Sequence, residues 1–336
     1  MNNYLQLTEA QKRFVLSQCK NLMGLPEQAL EKDFWVTVML QLIFDSDLSK
    51  HIIFKGGTSL SKNGNLIERF SEDIDLAVNY DYFGLDENPT KKQLKKLRKS
   101  SSLFVREEMA NILASQIEKH GLQDMLKLTV EPDGDGDGTY PEPRHIYIRY
   151  QSVLPSFIEY LKPMIVLEIG ARSLMEPVVD LQVKSIIEET LPQIKTDIVQ
   201  TKVITAAPQK TFLEKAFLLH ELFSTDHDSL PANRRSRHLY DLNRMMDKDF
   251  AIAAIKDNHL WESIRHHREM FTSIVGVDYS GDIRSRIRLI PPKKHLDDWR
   301  KDYQKMCDSM IYGPKPTFAE LMASMEELER RFRNHE

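Results

Sequence analysis

The pattern of apolar and polar residues predicts helices mixed with strands in the first two thirds of the chain. Apolar side chains at helical spacing predict one helix capped by Thr8 and ending near Met23, and a second from Pro26 to Phe44. Short apolar runs predict strands at residues 51–54, 73–78, 126–130, 145–150 and 164–170. Further helices are predicted at residues 58–68, 90–119 and 176–190. This mixture indicates an α/β (α+β) fold, a mixed sheet flanked by helices.

Beyond about residue 205 the pattern becomes mainly helical. Helices are predicted at residues 209–223, 236–247, 249–255, 258–273, 295–312 and 317–334. We therefore expect two domains, a sheet-containing lobe over residues 1–205 and a helical C-terminal lobe over residues 206–336.

Composition narrows the class of protein. The 336 residues are 41% hydrophobic and 29% charged, which is typical of a soluble globular protein. The formal net charge of −4 means that contact with nucleic acid would depend on local basic patches. We expect a cytoplasmic protein without membrane segments. The chain has only two cysteines, its first residues are unlike a secretory signal, and it has no long apolar stretch.

Two aspartates stand two residues apart in the run from Asp73 to Val78. Side chains alternate along a strand, so Asp73 and Asp75 would share one face. Burying two adjacent carboxylates is costly unless a cation compensates, and Mg²⁺ is typically held by one or two carboxylates together with phosphate oxygens. On its own the pair is more often a solvated strand end.

A glycine pair precedes these aspartates, between a predicted strand and a predicted helix. Gly56 and Gly57 permit positive φ and close approach of the main chain to a ligand. The start of the following helix would favour an anion such as a triphosphate. The spacing matches neither a Walker A loop nor a dinucleotide fingerprint. Alone it would be an ordinary turn, but joined to the aspartate pair it favours a site for a nucleoside triphosphate (NTP) and a divalent metal.

Together, these two motifs resemble the nucleotidyltransferase superfamily of DNA polymerase β. The longer blocks resemble more closely the AbiEii/AbiGii toxin family of bacterial type IV toxin–antitoxin systems. The blocks that carry this resemblance are 30–36 (LEKDFWV), 55–62 (KGGTSLSK), 69–76 (RFSEDIDL), 166–172 (VLEIGAR), 214–217 (EKAF) and 237–242 (RHLYDL).

The resemblance assigns roles to residues of this chain. It implies that Mg²⁺ or Mn²⁺ is bound by Asp73, Asp75 and Glu168, the last being a lone carboxylate in an apolar strand. A structural ion pair is the alternative for Glu168. The residues implied for nucleotide binding are Gly56, Gly57, Thr58, Ser59, Lys62, Ser71 and Lys215. For Lys215 the alternative is a solvated helix face.

Two positions keep open roles. Asp241 belongs to a block in which His238 stands where the family usually has aspartate. Asp241 is a catalytic candidate, and positioning of Lys215 or of an arginine is the alternative. Arg172 is assigned equally to phosphate binding and to pairing with a carboxylate.

The implied reaction is metal-dependent transfer of a nucleoside monophosphate (NMP) from an NTP to RNA, with a tRNA 3′ end as the first candidate. The implied partner is an antitoxin encoded beside the toxin, which represses transcription, so a stable complex is not required. Two alternatives stay open: a toxin that binds GTP or another NTP without turnover, and nucleotidylation of a protein or small molecule.

Three charged segments fall outside these motifs. Residues 131–138 predict a mobile acidic hairpin loop. Residues 91–99 and the arginines of 234–237 and 284–288 are basic clusters. Each is either a solvated face or part of a groove for RNA.

Overall fold

The computed structural model describes residues 2–64, 66–134, 140–156, 161–225 and 232–336. The chain divides into two compact units. The first unit contains residues 1–63 and 70–206, and the second contains Gly64–Arg69 and Ala207–Glu336. The second unit therefore includes a short segment from the N-terminal region as well as the C-terminal residues. The predicted boundary at residue 205 stays a prediction.

A mixed sheet forms the centre of the first unit, which confirms the predicted fold class. The strands of this unit are β1 (Asn2–Asn3), β2 (Ile52–Lys55), β3 (Ile74–Val78), β4 (Leu126–Val130), β5 (Arg144–Tyr150), β6 (Met164–Gly170), β7 (Val178–Leu181), β8 (Ile194–Lys195) and β9 (Val203–Ala206). The spatial order of the mixed sheet is β4-β5-β6-β3-β2-β9-β7, and β1 and β8 pair separately in parallel.

Six α-helices accompany this sheet within the described residues. They are α1 (Glu9–Met23), α2 (Glu27–Phe44), α3 (Gly56–Lys62), α4 (Lys91–Phe104), α5 (Ala110–Lys119) and α6 (Ile186–Thr190). A π-helical turn at Val105–Met109 joins α4 to α5. Thr8 begins α1 through a capping box with Gln11, as its hydroxyl predicts.

Helix α2 is buried on all sides from Ala29 to Phe44. Such a helix belongs to a core, and its polar residues need partners inside the protein. Its side chains meet that need: Glu31 accepts hydrogen bonds from Ser152 and from the main-chain N–H of Val153. Lys32 pairs with Glu72 at 2.6 Å.

The second unit is mainly helical, as predicted. Its helices are α7 (Pro208–Ser224), α8 (Ser236–Met245), α9 (Asp249–Lys256), α10 (Asn258–Phe271), α11 (Leu296–Ser309) and α12 (Phe318–Asn334). Its core contains the fully buried rings of Phe212, Phe217, Trp261 and Phe332. In the described part of the chain, no helix is both long enough and apolar enough to cross a bilayer.

Two local predictions were wrong. The helix expected at residues 58–68 begins earlier, at Gly56, and ends at Lys62. The helix expected at 176–190 is the strand β7 followed by the short helix α6. Val178 and Val179 suit a strand, and β7 gains a ladder of hydrogen bonds to β9. Of the acidic loop, residues 135–138 lie outside the described residues.

Candidate active site

Adjacent strands bring the predicted carboxylates of the first unit together. Strand β3 is antiparallel to β2 and parallel to β6. In this register Asp75 lies opposite Lys55 on one side and opposite Glu168 on the other. Residues directly opposite each other on neighbouring strands project from the same face of a sheet. Asp75 and Glu168 therefore share a face.

This face is the accessible one. Alternate residues of β6, Ile165, Leu167 and Ile169, are fully buried, whereas the Glu168 side chain is 42% exposed. Asp75 is partly exposed between the buried residues Ile74 and Leu76. Asp73 comes two positions before Asp75, immediately before β3 begins, and is also partly exposed.

Gly56 is in close contact with the Asp75 carboxylate. Its φ of +81° lies in the left-handed region that favours glycine. A Cβ atom at this position would lie 1.8 Å from Oδ2 of Asp75, closer than any non-bonded contact allows. The glycine turn thus provides the space that the carboxylate occupies. The two sequence motifs form one structure.

The hydroxyl groups of the turn bond within the protein. The Thr58 hydroxyl lies 2.5 Å from the carbonyl oxygen of Asp73 and 2.9 Å from the Ser71 hydroxyl. The Ser59 hydroxyl donates to the carbonyl of Gly56 at 2.9 Å. Thr58 and Ser59 are both 1% exposed. These two side chains fix the turn and the segment that leads to Asp73.

Lys62 forms a buried ion pair. Its ammonium lies 2.6 Å from Oδ1 of Asp33 and donates to Thr37 and to the carbonyl of Lys184. The other oxygen of Asp33 accepts the main-chain N–H of Ile186. The lysine predicted to contact nucleotide is therefore part of the interior that joins α2 to α3.

His145 lies beside these carboxylates, although no sequence motif pointed to it. It lies opposite Glu168 on β5, with Nε2 3.8 Å from the Glu168 carboxylate and Nδ1 2.8 Å from Glu131. The neighbouring carboxylates of Glu168 and Glu131, opposed by burial, raise the pKa of His145 to about 9. The alternation of β5 was the available signal, since it places His145 and Tyr147 on the accessible face.

Arg172 pairs with a carboxylate. Its guanidinium bonds to Glu142, whose other oxygen accepts the main-chain N–H of Ala171. The Glu142 side chain is 2% exposed. Of the two assignments left open for Arg172, the structure contains the pairing with a carboxylate.

In the second unit Asp241 lies at the centre of a buried charge cluster. Arg69 donates to both of its oxygens at 2.7 Å, and the Lys215 ammonium lies 2.9 Å away. The Asp241 and Arg69 side chains are at most 1% exposed. Burial alone would raise the pKa of Asp241, but the charges of Arg69 and Lys215 outweigh it and lower this pKa. Asp241 thus contacts both cations, and its role, in catalysis or in positioning them, stays a prediction.

His238 adjoins this cluster. Its Nδ1 lies 3.4 Å from the Lys215 ammonium. Burial and the charges of Lys215 and Arg237 keep the pKa of His238 well below its ordinary value. At neutral pH the imidazole is therefore uncharged and can accept a hydrogen bond from Lys215. An aspartate at position 238 would instead add a second negative charge beside this lysine.

The described residues contain no group of three or more His, Cys, Asp or Glu side chains arranged to hold a metal ion. The carboxylates of Asp75 and Glu168 are hard oxygen donors on neighbouring strands. Mg²⁺ commonly binds through one or two carboxylates and completes its shell with water and substrate phosphates. The donor chemistry fits a site that a nucleotide completes.

Comparisons with known proteins identify the family. The model of the family described as nucleotidyl transferase AbiEii toxin, type IV toxin–antitoxin system, matches residues 38–324. Among curated proteins, none matches the chain. Among solved structures the chain is similar to MenT4, a nucleotidyltransferase toxin from Mycobacterium tuberculosis H37Rv, at 15% identity and a TM-score of 0.47, with 98% of each chain covered. By its match over most of its length, the chain belongs to the AbiEii family of nucleotidyltransferase toxins of type IV toxin–antitoxin systems.

Proposed function

We propose that this toxin transfers a nucleoside monophosphate from an NTP to a hydroxyl group of RNA, with release of pyrophosphate, and that a tRNA 3′ end is the first acceptor to test. The observation that carries the proposal is the contact between Gly56 and the Asp75 carboxylate, with Glu168 opposite on the next strand. A carboxylate pair beside a glycine turn is suited to holding triphosphate oxygens and their counter-ion.

Asp73, Asp75 and Glu168 are the side chains that would hold Mg²⁺ or Mn²⁺. When bound, such an ion neutralises phosphate charge and stabilises the attacking and leaving oxygens. The chain's own contribution is orientation: Gly56 fixes the position of Asp75, and Thr58 fixes the main chain at Asp73. Glu168 either completes the carboxylate set or accepts the proton of the acceptor hydroxyl.

The nucleotide contacts are proposed on the same basis. Gly56 and Gly57 would approach the triphosphate through their main chain, and the Ser71 hydroxyl is partly exposed beside Thr58. The hydroxyls of Thr58 and Ser59 are already bonded within the protein, so any phosphate contact by these residues would use main-chain N–H groups. Lys215 stays a candidate for binding phosphate, with Asp241 as the residue that positions it.

Partners and location follow from the family and from composition. An antitoxin from the same toxin–antitoxin system is the expected partner, in functional linkage that needs no stable complex. The two free cysteines suit a cytoplasmic protein.

The test is to incubate the protein with total RNA and each labelled NTP, with Mg²⁺ or with EDTA. Asp75→Asn keeps the size of the side chain and removes its charge. We expect label in RNA with wild type and at least a hundredfold less with Asp75→Asn or EDTA, the order of loss seen when reacting groups are misplaced. Asp124→Asn, at an exposed position of the same unit, is the matched control and should act like wild type.

Other outcomes favour the alternatives. Label found only in protein or in small molecules would replace RNA as the acceptor. NTP binding without label in any fraction, together with toxicity that survives Asp75→Asn, would support a toxin that acts without turnover.

A further inference from the structure

We propose that the exposed face of α4 is the surface on which the RNA acceptor docks through its phosphates. This face, here called the α4 cationic face, consists of Lys91, Lys92, Lys95, Lys96, Arg98 and Lys99. The inference rests on the proposed function, because it names the part of the protein that would bind the proposed acceptor.

All six side chains are exposed, and helix α4 contains no acidic residue. Within the described residues none of the six has an ion-pair partner, and the Lys99 ammonium lies over the Tyr140 ring, 5.2 Å from its centroid. By contrast, Lys32, Lys62 and Arg172 of the same unit are each paired with a carboxylate. In a chain with a net charge of −4, this face is a local concentration of unpaired positive charge.

The charges oppose the helix that carries them. Lys91 and Lys92 lie in the first turn, where the helix dipole is positive and favours acidic residues. Like charges four residues apart repel each other along a helix. Such pairs are Lys91 with Lys95, Lys92 with Lys96, and Lys95 with Lys99. A bound polyanion would remove this repulsion, whereas solvent alone only screens it.

The opposite side of α4 fixes the direction of this face. Leu97 is 1% exposed, and a capping box between Thr90 and Gln93 begins the helix. At the other end, Ser102 accepts a hydrogen bond from Arg144 at 2.8 Å. Arg144 immediately precedes His145, which lies opposite Glu168. By the alternation of β5, the buried Arg144 side chain projects from the opposite face to His145, so α4 is attached to the far face of the strand that borders the carboxylate site.

The composition of the face favours RNA over an anionic membrane. Helices that bind membrane surfaces insert large apolar side chains beside their basic residues. Here the buried Leu97 faces the protein, and the exposed residues of α4 are cationic or polar. Binding to phosphates by lysines without an apolar contact is the usual mode for nucleic-acid backbones and depends strongly on salt.

The experiment measures the affinity of the full-length protein for bulk tRNA over a range of salt concentrations, without NTP. The variant replaces Lys91, Lys92, Lys95 and Lys96 with glutamine, which keeps helix propensity. A single-strand contact contributes about 0.7 to the slope of log affinity against log salt, so losing four contacts should reduce the slope by about 3. We expect the affinity to fall about tenfold or more.

The matched control replaces four exposed lysines of the second unit, Lys248, Lys256, Lys301 and Lys305, with glutamine. It removes the same charge from the chain and should bind tRNA nearly as wild type does. Hydrogen exchange provides a second measurement: bulk tRNA should slow exchange in α4 of the wild type because it relieves the repulsion among the lysines.

Equal losses in the variant and the control would overturn the proposal, since affinity would then follow net charge alone. Stronger binding to phosphatidylserine vesicles than to tRNA, lost in the α4 variant, would also overturn it in favour of a membrane.

A nucleotide-transfer assay separates the proposed function from the proposed RNA surface. If wild type binds tRNA through α4 but labels no RNA, the proposed function fails and the surface stands. If it labels RNA and the α4 variant has an unchanged KM for tRNA, the surface fails.

Discussion

Gly56 and Asp75 act together at the scale of single residues. Replacing Gly56 with alanine would bring Cβ to 1.8 Å from the Asp75 oxygen and add strain at φ +81°. The strain alone costs about 1 kcal/mol. Because the carboxylate must also move, we expect nucleotide transfer to fall about a hundredfold or more. The measurement is the rate of label transfer to RNA at saturating NTP.

Gly121→Ala is the control for this prediction. Gly121 has φ +69°, and nothing lies within 4 Å of the Cβ that the substitution would add. It should therefore lose only the strain component of the free energy of unfolding, about 1 kcal/mol, and retain its activity. Equal activity losses in both variants would show that backbone strain, and not the position of Asp75, sets the rate.

At this scale the sequence indicates which strands carry the candidate carboxylates, but not which residues the side chains contact. The carboxylates Asp75 and Glu168 were selected from their place in apolar strands, and the structure brings those strands side by side. Thr58 and Lys62 turn inward because they bond to partners elsewhere in the chain. Lys62, for example, pairs with Asp33, which is distant in sequence. His145 was missed for the same reason, since its neighbours Glu131 and Glu168 lie on other segments.

At the scale of elements, helix α3 is held to α2 by the ion pair between Lys62 and Asp33. Lys62→Met would leave a buried carboxylate without its cation and should reduce the free energy of unfolding by about 3 kcal/mol. The double variant Lys62→Met with Asp33→Asn removes both charges and keeps an oxygen for the N–H of Ile186. We expect it to recover most of the stability in urea denaturation.

The same pair of variants tests the predicted nucleotide contact of Lys62. If the ammonium acts only within the interior, a fluorescent NTP analogue should bind the double variant as tightly as it binds wild type. Affinity that falls equally in the single and double variants would instead assign Lys62 to the nucleotide.

Elements with their own signals were predicted well. Helix α1 has a capping box, and β4 and β6 have the bounds that their apolar runs predict. Strand β7 was missed because four residues carry little periodicity, and its stability comes from pairing with β9. No pattern within residues 176–190 contains that partner, so only the tertiary structure selects a strand there.

At the scale of the whole molecule, stability should depend on pH through buried histidines of the second unit. Burial is the main cause that lowers the pKa of His220 to about 4 and of His267 to about 3. In the unfolded chain both rings take up protons near pH 6.5. Between these values the unfolded state binds more protons, so the free energy of unfolding decreases as the pH falls.

His267→Phe isolates one of these contributions. The His267 ring stacks on Phe271 at 4.4 Å, and its Nε2 has no hydrogen-bond partner within the described residues, so phenylalanine can replace it without losing a hydrogen bond there. A histidine that stays neutral in the folded protein makes the free energy of unfolding about 2 kcal/mol lower at pH 5 than at neutral pH. Between pH 7.5 and pH 5 the free energy of unfolding of the variant should therefore fall by about 2 kcal/mol less than that of wild type, as measured by hydrogen exchange in α7 and α10.

His259→Gln is the control. It lies at an exposed site and should leave the pH dependence of stability unchanged. An identical pH dependence in His267→Phe and wild type would mean that His267 takes up its proton as readily in the folded protein as in the unfolded chain. Burial and the charges of Lys210 and Arg268 would then not lower its pKa.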